Sequence, residues 1–282
     1  MPVATACLVK LVPDTSVDTF LHSLFSTELR DFVHIASRVV EPVIRPEKLD
    51  VTFLNCTKWD LLLFLGPGPH DLLKEGGYKI QAQVQEHYSI CCGIPSSIWN
   101  NYHKRSAALN KEAKSMPLRS DWSAVSHADY SSVAKDSQNL EASPGLLDFA
   151  DRLGKTYQGP VSQLNLLHFR PGKEAMESYH KYGKAFAEVA SIRGGDAKLV
   201  GNVLSPSPAE DSRGRKDLPK EEWWNEISLV HYPSIMHFID MLMDPAYQEA
   251  NQRHRLPGLR DTALTCTTEI DLTSYRGWQA KL

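Results

Sequence analysis

Long apolar runs are missing from this chain. The longest, Leu61-Leu62-Leu63-Phe64-Leu65, falls far short of the ~20 residues that a membrane-crossing helix needs. An excess of one charge is missing too. Basic side chains number 31 and acidic ones 34, a net charge of −3, so no global field draws phosphate backbones or anionic lipid. Nucleic-acid and membrane roles are therefore not expected. The stretch Met1 to Cys7 has no basic segment followed by a long apolar one, so no secretory leader is expected. Five cysteines without paired spacing fit a reducing, cytoplasmic setting. Cys91 and Cys92 are adjacent on an expected strand and point to opposite faces. With no C-x-x-C and no H-E-x-x-H, no metal site is expected. Gly66-x-Gly68 lacks the third glycine of a dinucleotide fingerprint, and there is neither a P-loop nor a G-x-S-x-G elbow. Common nucleotide enzymes and serine hydrolases are thereby disfavoured.

What is present is material for two cores. At ~150 residues per domain, 282 residues with 42% apolar content suffice for about two domains. The C-terminal part, residues 159–272, is the more legible. Val161 to Phe169 alternates as a strand, and Met176, Tyr179, Gly183, Phe186 and Ala190 form a helical stripe that ends at Arg193-Gly194-Gly195. Ala197 to Leu204 reads as a second strand and residues 205 to 222 as a loop. Asn225 to Tyr232 alternates as a third strand, and Pro233 suits the first position of a helix carrying Ile235, Phe238, Ile239 and Leu242. Asp244-Pro245 repeats a cap-and-proline start for a short helix reaching about His254, and Leu264 to Ile270 closes the unit. The order is βαββαβ, the ferredoxin-like pattern.

Residues 1–100 read as a degenerate copy. Strands are expected at Ala6–Val12, at Val33–Ile44 with a break at Pro42, at Trp59–Leu65 and at Gln83–Cys92. Val17, Phe20, Leu21 and Leu24 mark a first helix, and the second, near Asp71–Glu75, is poor. Residues 101–158 read as a linker in which only Leu146 to Leu153 is helical. Each four-stranded sheet leaves one face bare, and a second sheet is the simplest cover.

Tyr179-His180-Lys181-Tyr182-Gly183, Arg193-Gly194-Gly195, Lys198-Leu199-Val200-Gly201, Trp224-Asn225-Glu226-Ile227 and His231-Tyr232-Pro233-Ser234 together resemble the dimeric α/β-barrel superfamily. The resemblance covers roughly residues 160–270. Within the superfamily it is nearest to small domains of unknown function, and length and linker resemble uncharacterised tandem-domain proteins of filamentous fungi. It implies an α+β fold in which two ferredoxin-like domains in tandem form the barrel within one chain, with a homodimer also open. It further implies a cofactor-free cyclase, isomerase or lyase of secondary metabolism acting on an aromatic or polyketide-like substrate. Non-catalytic binding or stress-associated members and haem-binding members are the alternatives, since one axial histidine leaves no spacing signature.

Eleven histidines are generous for this length, and histidine moves protons near neutral pH. His231 ends the third strand beside the expected cleft between sheet and helices, as a general acid or base or else as a strand-end histidine bonded to backbone. Arg193, beside two glycines, and Asn225 are the candidates for steadying developing negative charge, Arg193 alternatively being a plain exposed cap. Tyr182, Trp224 and Phe238 are candidate pocket walls, and His254 and Arg255 either bind substrate or cap a helix. His34 and Arg38 share a strand face and either meet a ligand or point outward. His237, off its helix's apolar stripe, reads as a surface residue.

Overall fold

A computed structural model describes residues 1–120, 140–204 and 219–277. Eight strands, β1 (Val3–Leu11), β2 (Val33–Ile44), β3 (Leu61–Leu65), β4 (Val84–Gly93), β5 (Val161–Phe169), β6 (Asp196–Val203), β7 (Glu226–Tyr232) and β8 (Leu259–Glu269), close into one barrel. Every pairing is antiparallel, in the order β1-β3-β2-β8-β5-β7-β6-β4. The N-terminal strands stand as β4-β1-β3-β2 and the C-terminal ones as β8-β5-β7-β6, so one order occurs twice. Two seams join the quartets. The β2–β8 seam runs from Ser37↔Glu269 to Ile44↔Leu264, whereas the β4–β6 seam holds only Cys92↔Val203 and Gly93↔Asn202.

Alternation explains the layers. Ala4, Ala6 and Leu8 of β1 face inward with Leu62 and Phe64 of β3, Ile90 of β4, Leu164 and Leu166 of β5, and Ile227 and Leu229 of β7. This filled interior is the bare-face cover that two half-sheets require. Cys7, Val9 and Leu11 face outward beneath α1 (Val17–Leu24) and α3 (Leu72–Gln81). Because β3 is buried on both sides, Leu61–Leu65 is apolar without alternation. Over the C-terminal quartet lie α5 (Pro144–Thr156), α6 (Lys173–Ser191), α7 (Ile235–Leu242) and α8 (Pro245–Ala250), the last running into a single π turn, Asn251–Arg255. The short α2 (Val51–Cys56) precedes β3.

Several expectations change. The poor second helix is a full α3, capped by Asp71, whose side chain accepts from Leu73 and Lys74, and kinked at Gly77 with φ +66°. Residues 101–158 are not all linker. Helix α4 (Ser96–Ala113) occupies their start, and its buried stripe of Trp99, Tyr102 and Ser106 is too sparse to give an apolar period. Residues 121–139 of that segment, and 205–218 of the expected loop, lie outside the described residues. Helix α7 begins at Ile235 with Ser234 in the cap position, so Pro233 precedes the helix. Pro42 does not break β2; its register shifts there and the strand continues. Among the described residues no helix is long and apolar enough to cross a membrane.

Buried carboxylates tie the chain's halves together. Asp261 on β8 accepts from the backbone N–H groups of Glu47, Lys48 and Leu49 at 3.0, 2.9 and 2.7 Å. Asp240 on α7 likewise accepts from the N–H groups of Arg119 and Ser120, which follow α4.

Candidate functional site

A cavity of about 250 Å³ opens between the outer face of the C-terminal sheet and helices α6 to α8. Its floor is polar. The two-residue period brings Gln163 and Asn165 of β5 to the same face, and Glu226 and Ser228 of β7 to the strip beside them, in the register Asn165↔Ser228. The roof is aromatic. Steps of three and four on α6 project Tyr179, Tyr182 and Phe186, with ring centroids 5.4 and 6.0 Å apart in sequence, and Phe238 and Tyr247 complete it. The Tyr182 and Tyr247 hydroxyls lie 3.2 Å apart.

Electrostatics set this strip apart. Burial pushes the Glu226 carboxyl up to about 7, because the charged form loses its water. Burial also raises the phenols of Tyr179, Tyr182 and Tyr247, so they stay protonated and can donate. Arg255, on the cavity wall, donates to Asn251 Oδ1 at 3.4 Å and Thr262 Oγ1 at 3.3 Å. Gln163 is 1% exposed, and neither its amide nitrogen nor its amide oxygen has a hydrogen-bond partner. The arrangement can sandwich a flat apolar body and exchange one proton with it near neutral pH.

Two larger clefts, of about 660 and 590 Å³, share His34, His103 and Arg276 near α4. None of the buried, unpartnered polar atoms of the described residues lies on their walls. Among the described residues no group of three or more His, Cys, Asp and Glu side chains could hold a metal ion.

The residues singled out from sequence are dispersed. Tyr182, Phe238 and Arg255 line the cavity. His231 does not, because on β7 the face shared with Ile227 and Leu229 is the barrel interior. There it is 1% exposed, with both ring nitrogens unpartnered, and burial together with nearby Lys198 lowers it to about 3. Arg193 is buried rather than an exposed cap, held by Asp244 at 2.7 Å and Asp240 at 3.5 Å. Asn225 Oδ1 accepts from the Phe169 N–H at 2.7 Å and so fixes the strand end. Trp224 belongs to the interior cluster and donates Nε1 to Asp50 at 3.3 Å. The His254 carbonyl accepts from Ser178. His34 stacks on Trp99 at 3.9 Å, whereas Arg38 pairs with Asp18 at 2.7 Å, so the two do not act on one ligand. His237 is buried, not on the surface, between Ser234 and the Met116 carbonyl. Sequence reasoning passed over Glu226 and Gln163, although the alternation of NEISLVHY already set Glu226 on the face opposite His231.

No family model matches the sequence, and no curated protein matches it. Among solved structures, a protein of unknown function from Rhodopseudomonas palustris is similar over 47% of this chain and 97% of its own, at 23% identity and a TM-score of 0.37. A methylated form of that protein gives 22% identity over 48% and 96%, with the same TM-score of 0.37. A proposed monooxygenase from Lactobacillus acidophilus is similar over 95% of this chain and 93% of its own, at 6% identity and a TM-score of 0.44. Likeness this distant says nothing of activity, and the barrel rests on the strand pairing itself.

Proposed function

We propose that the protein binds a compact, flat, largely apolar small molecule between its C-terminal sheet and helices, and that Glu226 moves a proton on it without a cofactor. The carrying observation is a carboxyl held near 7 on the floor of an aromatic-roofed cavity. A group poised there is half-charged at cellular pH, which suits a general acid or base. The size supports a one- or two-ring ligand, since a cavity of roughly 150 Å³ already accepts benzene. In this reading the two quartets of strands are tandem ferredoxin-like units, residues 1–100 and 159–272, making a barrel of the dimeric α/β type within one chain. Glu226 takes the proton-transfer role expected of His231, Arg255 offsets charge that develops on the ligand, and Tyr182 and Phe238 supply the walls.

The test uses an enolisable bicyclic ketone, β-tetralone, and follows exchange of its acidic C–H for deuterium by NMR. Catalysed exchange should rise through a pH near 7 and vanish in Glu226→Gln while the ketone still binds. Binding without any catalysed exchange, for this ketone and other enolisable rings alike, would reduce the protein to a carrier.

A further inference from the structure

The floor of the C-terminal cavity has two ends. Asn165 faces Ser228 in its middle, and Leu167 pairs with Glu226, so Gln163 stands four residues along β5 from Glu226's level. At ~3.3 Å per residue that is about 13 Å between backbones. Both residues line the cavity at opposite ends of this span, which leaves room for a bicyclic body under the aromatic roof.

Gln163 is the unexplained group. A buried amide with neither donor nor acceptor engaged costs free energy, and native proteins rarely retain one without use. The Cys266 thiol beside it, pushed up to about 12 by burial, lends the amide only a weak N–H···S contact, and sulfur is a poor acceptor that leaves such a donor largely unsatisfied. Asn165 does not serve it, because its side-chain nitrogen donates to the Gln163 backbone carbonyl at 3.1 Å. Gln163 lines the cavity floor, so a ligand that presses into that end meets an amide carrying a donor and an acceptor side by side.

We infer that Gln163 is a specificity residue that selects a planar ligand carrying a donor and an acceptor on adjacent atoms, a cis-lactam or the equivalent hydroxy-carbonyl edge. Such an edge pairs with the amide through two antiparallel hydrogen bonds, one in each direction. A ligand offering only one of the two leaves half of the amide unpaired in an apolar setting, and sites built this way reject the incomplete analogue strongly. The inference rests on the proposed ligand cavity and assigns the recognition end of it, whereas Glu226 works at the other end.

Binding of five bicyclic probes, followed by calorimetry and thermal shift on the full chain, tests this. The probes are carbostyril (lactam), 3-hydroxychromone (hydroxy-carbonyl), N-methylcarbostyril (acceptor only), β-naphthol (donor only) and naphthalene (neither). Carbostyril or 3-hydroxychromone should bind at least about tenfold more tightly than the single-function probes, and which of the two leads identifies the edge. Gln163→Leu should erase that preference while leaving naphthalene binding intact. It should also leave the melting temperature unchanged or higher, because it removes an unpaired polar group. A lower melting temperature in Gln163→Leu would show a structural amide and overturn the assignment. Equal binding of all five probes would overturn it while sparing the cavity as a ligand site. Binding of none of them would remove both.

Discussion

Glu226 and His231 lie five residues apart on one strand and couple folding to pH in opposite directions over overlapping windows. The Glu226 carboxyl rises from 4.5 to about 7 in the folded state, so folding takes up a proton between those values. Stability then falls as pH climbs through that window and stays reduced above it. Glu226→Gln removes the penalty, and chemical denaturation should find the variant about 2 kcal/mol more stable than wild type near pH 8 and nearly equal to it near pH 4. His231 goes the other way. Its folded value drops from 6.5 to about 3, so the folded state binds fewer protons and stability is lost as pH falls through that interval. A neutral His231→Leu should flatten the acid side of the stability profile measured by denaturant midpoints. That the two residues point to opposite faces, so that only one of them can serve the cavity, was already implicit in the alternation of the strand. What stayed hidden was the direction of each face, because both faces of β7 are buried and only the closed barrel decides which one meets helices.

Individual elements show the same division between visible and hidden. Helices α1 and α6 follow from periodicity, since each buries one broad stripe, and strands β5 and β7 follow from their β-rich runs, although both faces of each are buried. Helix α4 does not, because only three of its residues, Trp99, Tyr102 and Ser106, are buried. Two of them, Tyr102 and Ser106, donate to Glu269 at 2.9 and 3.1 Å. Lys198, inside the barrel on β6, pairs with the same carboxylate and lies 5.2 Å from the Tyr102 ring centre. This polar knot draws on residues 102, 106, 198 and 269, separations that no local pattern discloses. Lys198 and these donors hold the Glu269 carboxyl below its ordinary value despite burial, so its contribution is present above about pH 4.5 and fades as pH falls below that. Glu269→Ala would strand the Lys198 ammonium in the interior. Thermal and denaturant melts should then show a loss of about 3 kcal/mol or more, and Lys198→Met in the same chain should restore part of it.

At the scale of the whole molecule, closure is the property that neither quartet has alone. Each would expose the apolar face now shared in the interior by Ala6, Phe64, Leu166 and Leu229. Fragments 1–120 and 140–282 made separately should self-associate or aggregate, and made together should co-elute from a sizing column as one 1:1 species. A folded, monomeric 1–120 fragment would contradict this. The repeated strand order was legible from the sequence because two hydrophobic rhythms recur, whereas the seams were not, since register between distant strands leaves no local trace. The two seams are unequal. Where β4 meets β6 only two residue pairs align, and α4 bridges the gap through Arg105 to Asp196 and through the knot at Lys198. The hoop is thus fastened on that side by a buckle of side chains rather than by stitched backbone. The Leu204 amide proton, which bonds across this seam to the Cys91 carbonyl at 2.9 Å, should exchange with solvent well before those along β2 and β8, and weakening the buckle should let the barrel gape there first.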